Sequence, residues 1–327
     1  MNPFNKLVSP RFPPAAVGLS GEGASVVQLE RRGGGLSVRS AGFLPLHAGL
    51  VRPGFDDANL SDPVELARAL TELVSDAGLS RRRRWSVALP EASTRTSILT
   101  METAPASRAE AEEMLRWKTE RALGAHLEEL RVSRERLQPD PQGRARYLVS
   151  AVRLSVLAGY EQVFAALGWH AGLILPRHMG EAWWLMRDHT EDRASDSLLV
   201  SSHAEGFTAV ILRAGQPLFV RAVSCDVEDR ADELYRFLLF YRDRNAPAAE
   251  GETTTTPVPA VITDRIGRLL VAGTGLDYND ASAIVEETLS APPRPVGAAE
   301  LRLAFPTREI DFQQIAAPAG LAALAWA

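Results

Sequence analysis

The sequence predicts an α/β protein made of two copies of one module, and two stretches carry that prediction. In the first, the small and apolar residues Ala15, Ala16, Val17 and Leu19 run without alternation, as a buried strand does, into Ser20-Gly21-Glu22-Gly23. Val26, Val27 and Leu29 resume a strand, Gly33-Gly34-Gly35 turns the chain, and residues 36–46 complete a three-strand meander. In the second stretch the outline returns. Leu198, Leu199 and Val200 lead into the polar loop from Ser201 to Gly206, Phe207 to Leu212 form the next strand, and Pro217 to Val223 follow an Ala214-Gly215-Gln216 turn. Each copy therefore sets a polar loop just after its first strand.

Composition agrees with a globular chain. The 327 residues are enough for two domains, and an apolar fraction of 46% with 24% charged residues is ordinary for a folded protein. The net charge of −5 excludes a general nucleic-acid binder, whose footprint is basic. Lys6 and Lys118 are the only lysines, so nearly all positive charge is arginine. The single cysteine, Cys225, excludes an intrachain disulfide and reads as a packing or surface residue. The first dozen residues carry prolines in place of a signal peptide's apolar core, and no run reaches the roughly 20 apolar residues of a membrane span. The expected location is the cytoplasm.

Taken in order, residues 1–14 read as a loose arm. After the first meander and a loop over 49–61, Ser61 or Asp62 caps a helix with Pro63 at its first position; Val64, Leu66, Ala67, Leu70, Leu73 and Val74 form its apolar stripe and Gly78 stops it. Arg81 to Arg84 form a dense basic cluster, a solvated loop or a grip for anionic lipid or an acidic partner, before a strand from Trp85 to Pro90. A strand over 96–101 precedes a helix over 105–123, with Ser107 and Glu110 as a capping box and Ala111, Met114, Leu115, the Lys118 stem and Ala122 on one face. Trp117 is expected to pack beside that face.

Residues 127–137 and 144–152 read as paired strands about a Pro139 to Gly143 turn. Helical spacing of Val156, Leu157, Tyr160, Val163, Phe164 and Leu167 follows, then a strand over 169–175 and a helix over 177–188 bearing Trp183 and Trp184, read as structural. Beyond the second meander, residues 226–243 are amphipathic through Leu234, Phe237, Leu238 and Tyr241, and 245–259, with Thr253 to Thr256, form a loop by composition. Residues 268–272 are a short buried strand entering Gly273-Thr274-Gly275, residues 280–289 a helix, 292–306 irregular, and the apolar run 315–326 a helix folded onto the core.

These pieces agree with one family. Val17 to Val27 resembles the first loop of PilM, the cytoplasmic actin-like protein of type IV pilus assembly. Residues 36–49, Val87 to Pro90, Glu113 to Lys118, Leu148 to Val152, Leu234 to Arg242 and Leu269 to Gly275 resemble later stretches in the same order. The cytoplasmic domain of the type II secretion protein GspL is similar too. The resemblance implies an actin-like (ribonuclease H-like) fold related to FtsA: duplicated domains about a nucleotide cleft, with a small α/β subdomain inserted in the first. It implies a first domain over 15–83 and 176–195 joined by the C-terminal helix 315–327, an insertion over 84–175 and a second domain over 196–314. The short segment between Val223 and Asp226 implies that the second domain lacks most of its helical cap.

By the same resemblance Ser20 and Ser201 stand where the family's phosphate loops carry aspartates. Magnesium depends on hard oxygen ligands, usually at least one carboxylate, and a hydroxyl is a weak neutral substitute. Gly21 and Gly23 remain, displaced by one residue, while His203 holds an expected glycine position and Glu205 would repel a triphosphate. Glu22 sits in the turn itself, and Gly273 and Gly275 are equally at home in an ordinary turn or under an adenosine. The expectation is a degenerate site at Ser20, Gly21, Gly23, Ser201, His203, Gly273 and Gly275, with no cofactor, no metal and no catalytic residue. The histidines lack metal-ligand spacing, and neither a Walker sequence nor a nucleophile elbow occurs. The implied role is a scaffold at the inner membrane, reached only through partners: the N-terminal cytoplasmic peptide of a PilN-like bitopic protein and other pilus platform components. The alternative is a nucleotide-binding actin-like ATPase or switch.

Overall fold

The structure is a computed structural model that describes residues 12–103, 105–187, 195–245, 265–305 and 310–327. Residues 1–11 of the expected arm over 1–14 and the loop through Thr253 to Thr256 lie outside these residues. In chain order the elements are β1 (Ala15–Leu19), β2 (Gly23–Arg32), β3 (Gly35–Pro45), α1 (Pro63–Asp76), β4 (Arg84–Leu89), β5 (Thr94–Thr100), α2 (Arg108–Leu123), β6 (Leu130–Leu137), β7 (Arg146–Arg153), α3 (Leu154–Ala166) and β8 (His170–Pro176). There follow α4 (Arg177–Arg187), β9 (Asp196–His203), β10 (Gly206–Arg213), β11 (Gln216–Ser224), α5 (Arg230–Asn245), β12 (Ile266–Ala272), α6 (Tyr278–Leu289), β13 (Arg294–Pro295), β14 (Leu303–Ala304) and α7 (Phe312–Ala323).

The chain divides into two compact units. Met1–Thr94, Arg153–Trp183 and Arg302–Ala327 form the first, and Arg95–Val152 with Trp184–Leu301 the second. The first holds a six-stranded sheet in the order β14-β3-β2-β1-β4-β8. Its β1 is antiparallel to β2, with Ala15 opposite Gln28, and parallel to β4, with Val17 opposite Val87. The second holds a five-stranded sheet in the order β11-β10-β9-β12-β13, where β9 is antiparallel to β10 and parallel to β12. A meander followed by parallel strands is thus built twice in the same strand order. This is the duplicated ribonuclease H-like plan of an actin-like fold. Between β11 and α5 lie only residues 225–229, so no helical cap is inserted there.

Local chemistry sets the ends of the elements. Asp62 caps α1 by accepting from the Val64 and Glu65 amides, and Ser107 caps α2 by accepting from Glu110 N. Glu110 reaches back to the Ala106 amide, one residue earlier than in a standard capping box. In the first unit α7 covers β1, β2 and β4, and glycines set its approach. A Cβ on Gly320 would lie 1.8 Å from the Gly180 carbonyl, so α7 and α4 touch backbone to backbone there. The core of the second unit gathers Val200, Phe207, Ile211, Leu234, Phe237, Tyr241, Val271 and Val285.

Four expectations change. Strands β4 and β8 belong to the first sheet, so the separate three-stranded sheet β5-β7-β6 with α2 occupies a shorter stretch than 84–175. The run at 85–89 is a buried strand between β1 and β8, whereas β8 is the half-buried edge strand, and sequence pattern alone does not assign such short runs to one sheet or another. Val64 is 79% exposed, because it lies in the first turn of α1 before that helix meets the sheet, and Ala69 joins the buried stripe instead. In α2 the buried face is Leu115, Thr119 and Leu123; Ala122 is exposed and Trp117 is 56% exposed, with the Arg121 guanidinium over its ring. Residues 12–14 are held by the sheet: Pro13 O accepts from Ser86 Oγ and Pro14 O from Leu29 N.

Candidate functional site

The residues singled out in sequence fall into two groups, one in each unit. In the first, Ser20 follows β1 and closes its own turn. Its Oγ accepts from the amides of Gly23 (3.1 Å) and Glu22 (3.3 Å), and its amide donates to Gly23 O at 2.9 Å. Gly23 opens β2 beneath the Phe43 ring, where a Cβ would lie 2.5 Å from Cζ. Gly21 lies against Pro53, with its would-be Cβ 3.4 Å from that ring. The Ser20 hydroxyl and the amides of Ser20, Glu22 and Gly23 are thus used within the loop itself.

In the second unit Ser201, His203, Gly273 and Gly275 come together, with a residue that sequence reading missed. Arg230, the first residue of α5, is 1% exposed. Its Nη1 donates to Ser202 Oγ at 2.8 Å and to Thr274 O at 2.5 Å, and its Nη2 donates to His203 O at 2.5 Å and Ala204 O at 3.3 Å. Ser202 Oγ also donates to Thr274 O. One guanidinium thereby ties the loop after β9 to the turn after β12. The glycines answer to that closure: a Cβ on Gly275 would lie 1.9 Å from Arg230 Nη1, and one on Gly273 would lie 1.8 Å from Ser202 O. Both take positive φ, 89° at Gly273 and 85° at Gly275, which suits glycine.

His203 Nδ1 lies 3.1 Å from Glu205 Oε2. That hydrogen bond, ahead of the opposing cost of burial and the nearby Arg230 charge, holds the Glu205 carboxyl below its usual range, so the loop carries a fixed anion. Ser201 Oγ is buried without a hydrogen-bond partner. Cys225 is partly buried, and burial pushes its thiol up, away from the reactive thiolate. Sequence offered one signal for Arg230: a cation opening a helix meets the positive end of the helix dipole, which is unfavourable unless its charge is used elsewhere.

A second buried polar cluster lies at the carboxyl ends of β4 and β8 in the first unit, where open α/β sheets place ligands. Glu91 Oε1 is 2.6 Å from His178 Nδ1, and its Oε2 accepts from His178 N at 3.2 Å. Arg177 Nε donates to Glu181 Oε1 at 2.7 Å. Burial pushes the His178 imidazolium down, but the charge and hydrogen bond of Glu91, with Glu181 behind them, more than restore it, so its pKa stands above the ordinary histidine value. His178 Nε2 and Glu181 Oε2 are buried without hydrogen-bond partners. Among the described residues no group of three or more His, Cys, Asp or Glu side chains is placed to hold a metal ion. Nor is any helix among them long and apolar enough to cross a membrane.

The fold defines an actin-like protein in which Ser20 bonds within its own loop and Arg230 bonds the second loop to the turn after β12. Among solved structures, the chain is similar to one in the PilM-PilN type IV pilus biogenesis complex, with a TM-score of 0.72, 19% identity and coverage of 97% of this chain and 98% of that one. Weaker matches include a Bacteroides thetaiotaomicron protein with an actin-like ATPase fold and unknown function (TM-score 0.48, 12% identity, 97% and 98% coverage). Another is the cytoplasmic domain of EpsL, an inner membrane component of the Vibrio cholerae type II secretion system (TM-score 0.42, 14% identity, 86% and 96% coverage). No protein-family model matches the chain. No curated protein matches it either.

Proposed function

We propose that this protein is a cytoplasmic scaffold of a type IV pilus, or of a related type II secretion system, which holds the cytoplasmic segment of a PilN-like bitopic membrane protein and does not hydrolyse ATP. The observation that carries this reading is the fold match to the PilM-PilN complex, which runs nearly end to end in both chains. Support for the second clause comes from Arg230. A guanidinium already donates into the loop and turn of the second unit, and an anionic Glu205 stands beside it, so a triphosphate would meet both an occupied space and a like charge. Ser20 adds no carboxylate to help hold magnesium. An extended peptide would be gripped by strand pairing and side-chain pockets.

The test is co-purification of the full chain with the N-terminal cytoplasmic peptide of the bitopic protein encoded beside it. Retention of that peptide, against a scrambled control, is the expected result, and failure to retain it at any concentration reached would sink the reading. The alternative, a nucleotide-driven switch, rests on the Gly273-Thr274-Gly275 turn. It requires saturable Mg-ATP binding that raises stability by about 2.7 kcal/mol at a hundredfold excess over Kd. The expected result is no rise in melting temperature at millimolar Mg-ATP.

A further inference from the structure

One end of the six-stranded sheet gathers a basic face that the scaffold reading leaves unused. Arg31 and Arg32 close β2, which runs past the start of β1, since Ala15 pairs with Gln28 and Leu29 N donates to Pro14 O. Arg302 precedes β14, whose Leu303 pairs with Leu36 just after the same hairpin turn. Arg84 opens β4, level with the start of β1, because Ala16 pairs with Ser86. Arg82 Nε donates to Gln28 Oε1 at 3.1 Å, fastening the Arg81 to Arg83 loop across to β2. With strands about 4.8 Å apart, the span from β2 to β4 is about 10 Å, close to one Debye length at physiological salt.

These arginines differ from the ion-paired arginines of the chain, although Arg39, Arg131, Arg134, Arg136 and Arg221 are likewise exposed with no ion pair among the described residues. Arg68 lies 2.6 Å from Glu65, Arg108 is 3.0 Å from Glu112, Arg144 is 2.6 Å from Asp140 and Arg153 is 2.6 Å from Asp56. At the sheet end, Arg31, Arg81, Arg83, Arg84 and Arg302 are exposed and form no ion pair among the described residues, while Arg32 has only Glu30, at 4.0 Å. In a chain of net charge −5, such a concentration of unpaired cations runs against the global charge. The apolar neighbours Leu79, Trp85, Leu301 and Leu303 are all buried. The face therefore offers neither aromatic rings for bases to stack on nor an apolar anchor for a folded partner.

We infer that this end of the first unit docks directly on an anionic bilayer surface, through arginine contacts with phospholipid headgroups. A planar array of phosphates satisfies several guanidiniums at once and needs no apolar pocket. This goes beyond the proposed partner-mediated attachment and does not rest on it.

The test is sedimentation of the full chain, without partners, with vesicles of phosphatidylcholine alone or mixed with phosphatidylglycerol. Binding to the mixed vesicles only, abolished near 0.5 M salt, is expected, because a thinner ionic atmosphere screens the contacts. Each basic side chain at such a surface is worth about a fivefold factor in partitioning, so Arg81→Gln/Arg83→Gln/Arg84→Gln should weaken binding about a hundredfold. Arg31→Gln/Arg32→Gln, on the separate hairpin tip, should weaken it about twenty-fivefold. The paired positions, in Arg68→Gln/Arg108→Gln, should leave it unchanged. Equal binding to neutral vesicles, binding indifferent to either cluster, or capture by polyglutamate but not by vesicles would each overturn the inference. Because the probe is lipid alone, such an outcome leaves the peptide-binding reading untouched.

Discussion

The polar loop after β1 and the polar loop after β9 hold the same place in the two copies of the module, yet they are closed by different means. The first is closed by neighbours: Ser20 bonds Glu22 and Gly23, and Gly23 slips beneath Phe43. The second is closed from a distance, by an arginine on α5 that bridges Ser202, His203 and Ala204 to Thr274. A polar loop at this place in the fold can therefore be closed in two ways. In one copy the backbone folds back upon itself, and in the other a buried cation fills the space. The energetic weight of the two solutions should differ greatly, since a desolvated charge leaves several acceptors stranded when it is removed.

The sharpest way to break the comparison is Arg230→Ala, which takes the guanidinium donor from the His203, Ala204 and Thr274 carbonyls and leaves only the Ser202 hydroxyl on Thr274 O. It should cost roughly 3–5 kcal/mol, read as a lower denaturant midpoint. Arg230→Lys should recover little, since an ammonium cannot span both loops as a planar fork does. A loss under about 1 kcal/mol would show that the bridge is not what closes the loop.

Gly275→Ala is expected next, near 3 kcal/mol, from a methyl group driven into that guanidinium together with an unfavourable φ. In an Arg230→Ala background the steric part disappears, and the further cost should fall to about 1 kcal/mol, so the double-mutant cycle reads the contact directly.

The first unit keeps its buried charge elsewhere, in the Glu91 and His178 pair, and Glu91→Gln should cost about 2–3 kcal/mol. His178 has a folded pKa above its unfolded value, so its contribution is complete below about pH 6.5 and is lost as pH rises through the folded value. Unfolding free energy should thus decline as pH rises above about 6.5 in the native protein, and this slope should disappear in His178→Gln. Persistence of the slope would assign it to other groups.

Ser20→Ala should cost about 1 kcal/mol, the worth of a local hydroxyl cap. Ser201→Ala should lie within about 0.5 kcal/mol of the native protein or stabilise it, since that buried hydroxyl has no partner to lose.

Much of the fold was legible because its signals are local. Unbroken apolar runs ending in glycine-bearing turns marked both meanders, and Asp62 and Ser107 marked helix starts through the amides they cap. The contacts of the candidate residues were less legible. Ser20, Ser201, His203, Gly273 and Gly275 could be picked out, whereas Arg230 looked like one more charge on an amphipathic helix. The pairing of Glu91 with His178 was likewise hidden, because those residues meet only when β8 is laid beside β4.

The sequence by itself determined the repeated strand and turn pattern, the helix caps and the serine that opens each polar loop, since each depends on neighbours a few residues apart. Tertiary structure alone decided that β4 and β8 complete the first sheet and that a guanidinium closes the second loop. It also decided that scattered arginines share one sheet end. Burial of a charge and the sharing of an edge are properties of surfaces brought together by packing, and no short window of chain contains both sides of such a contact.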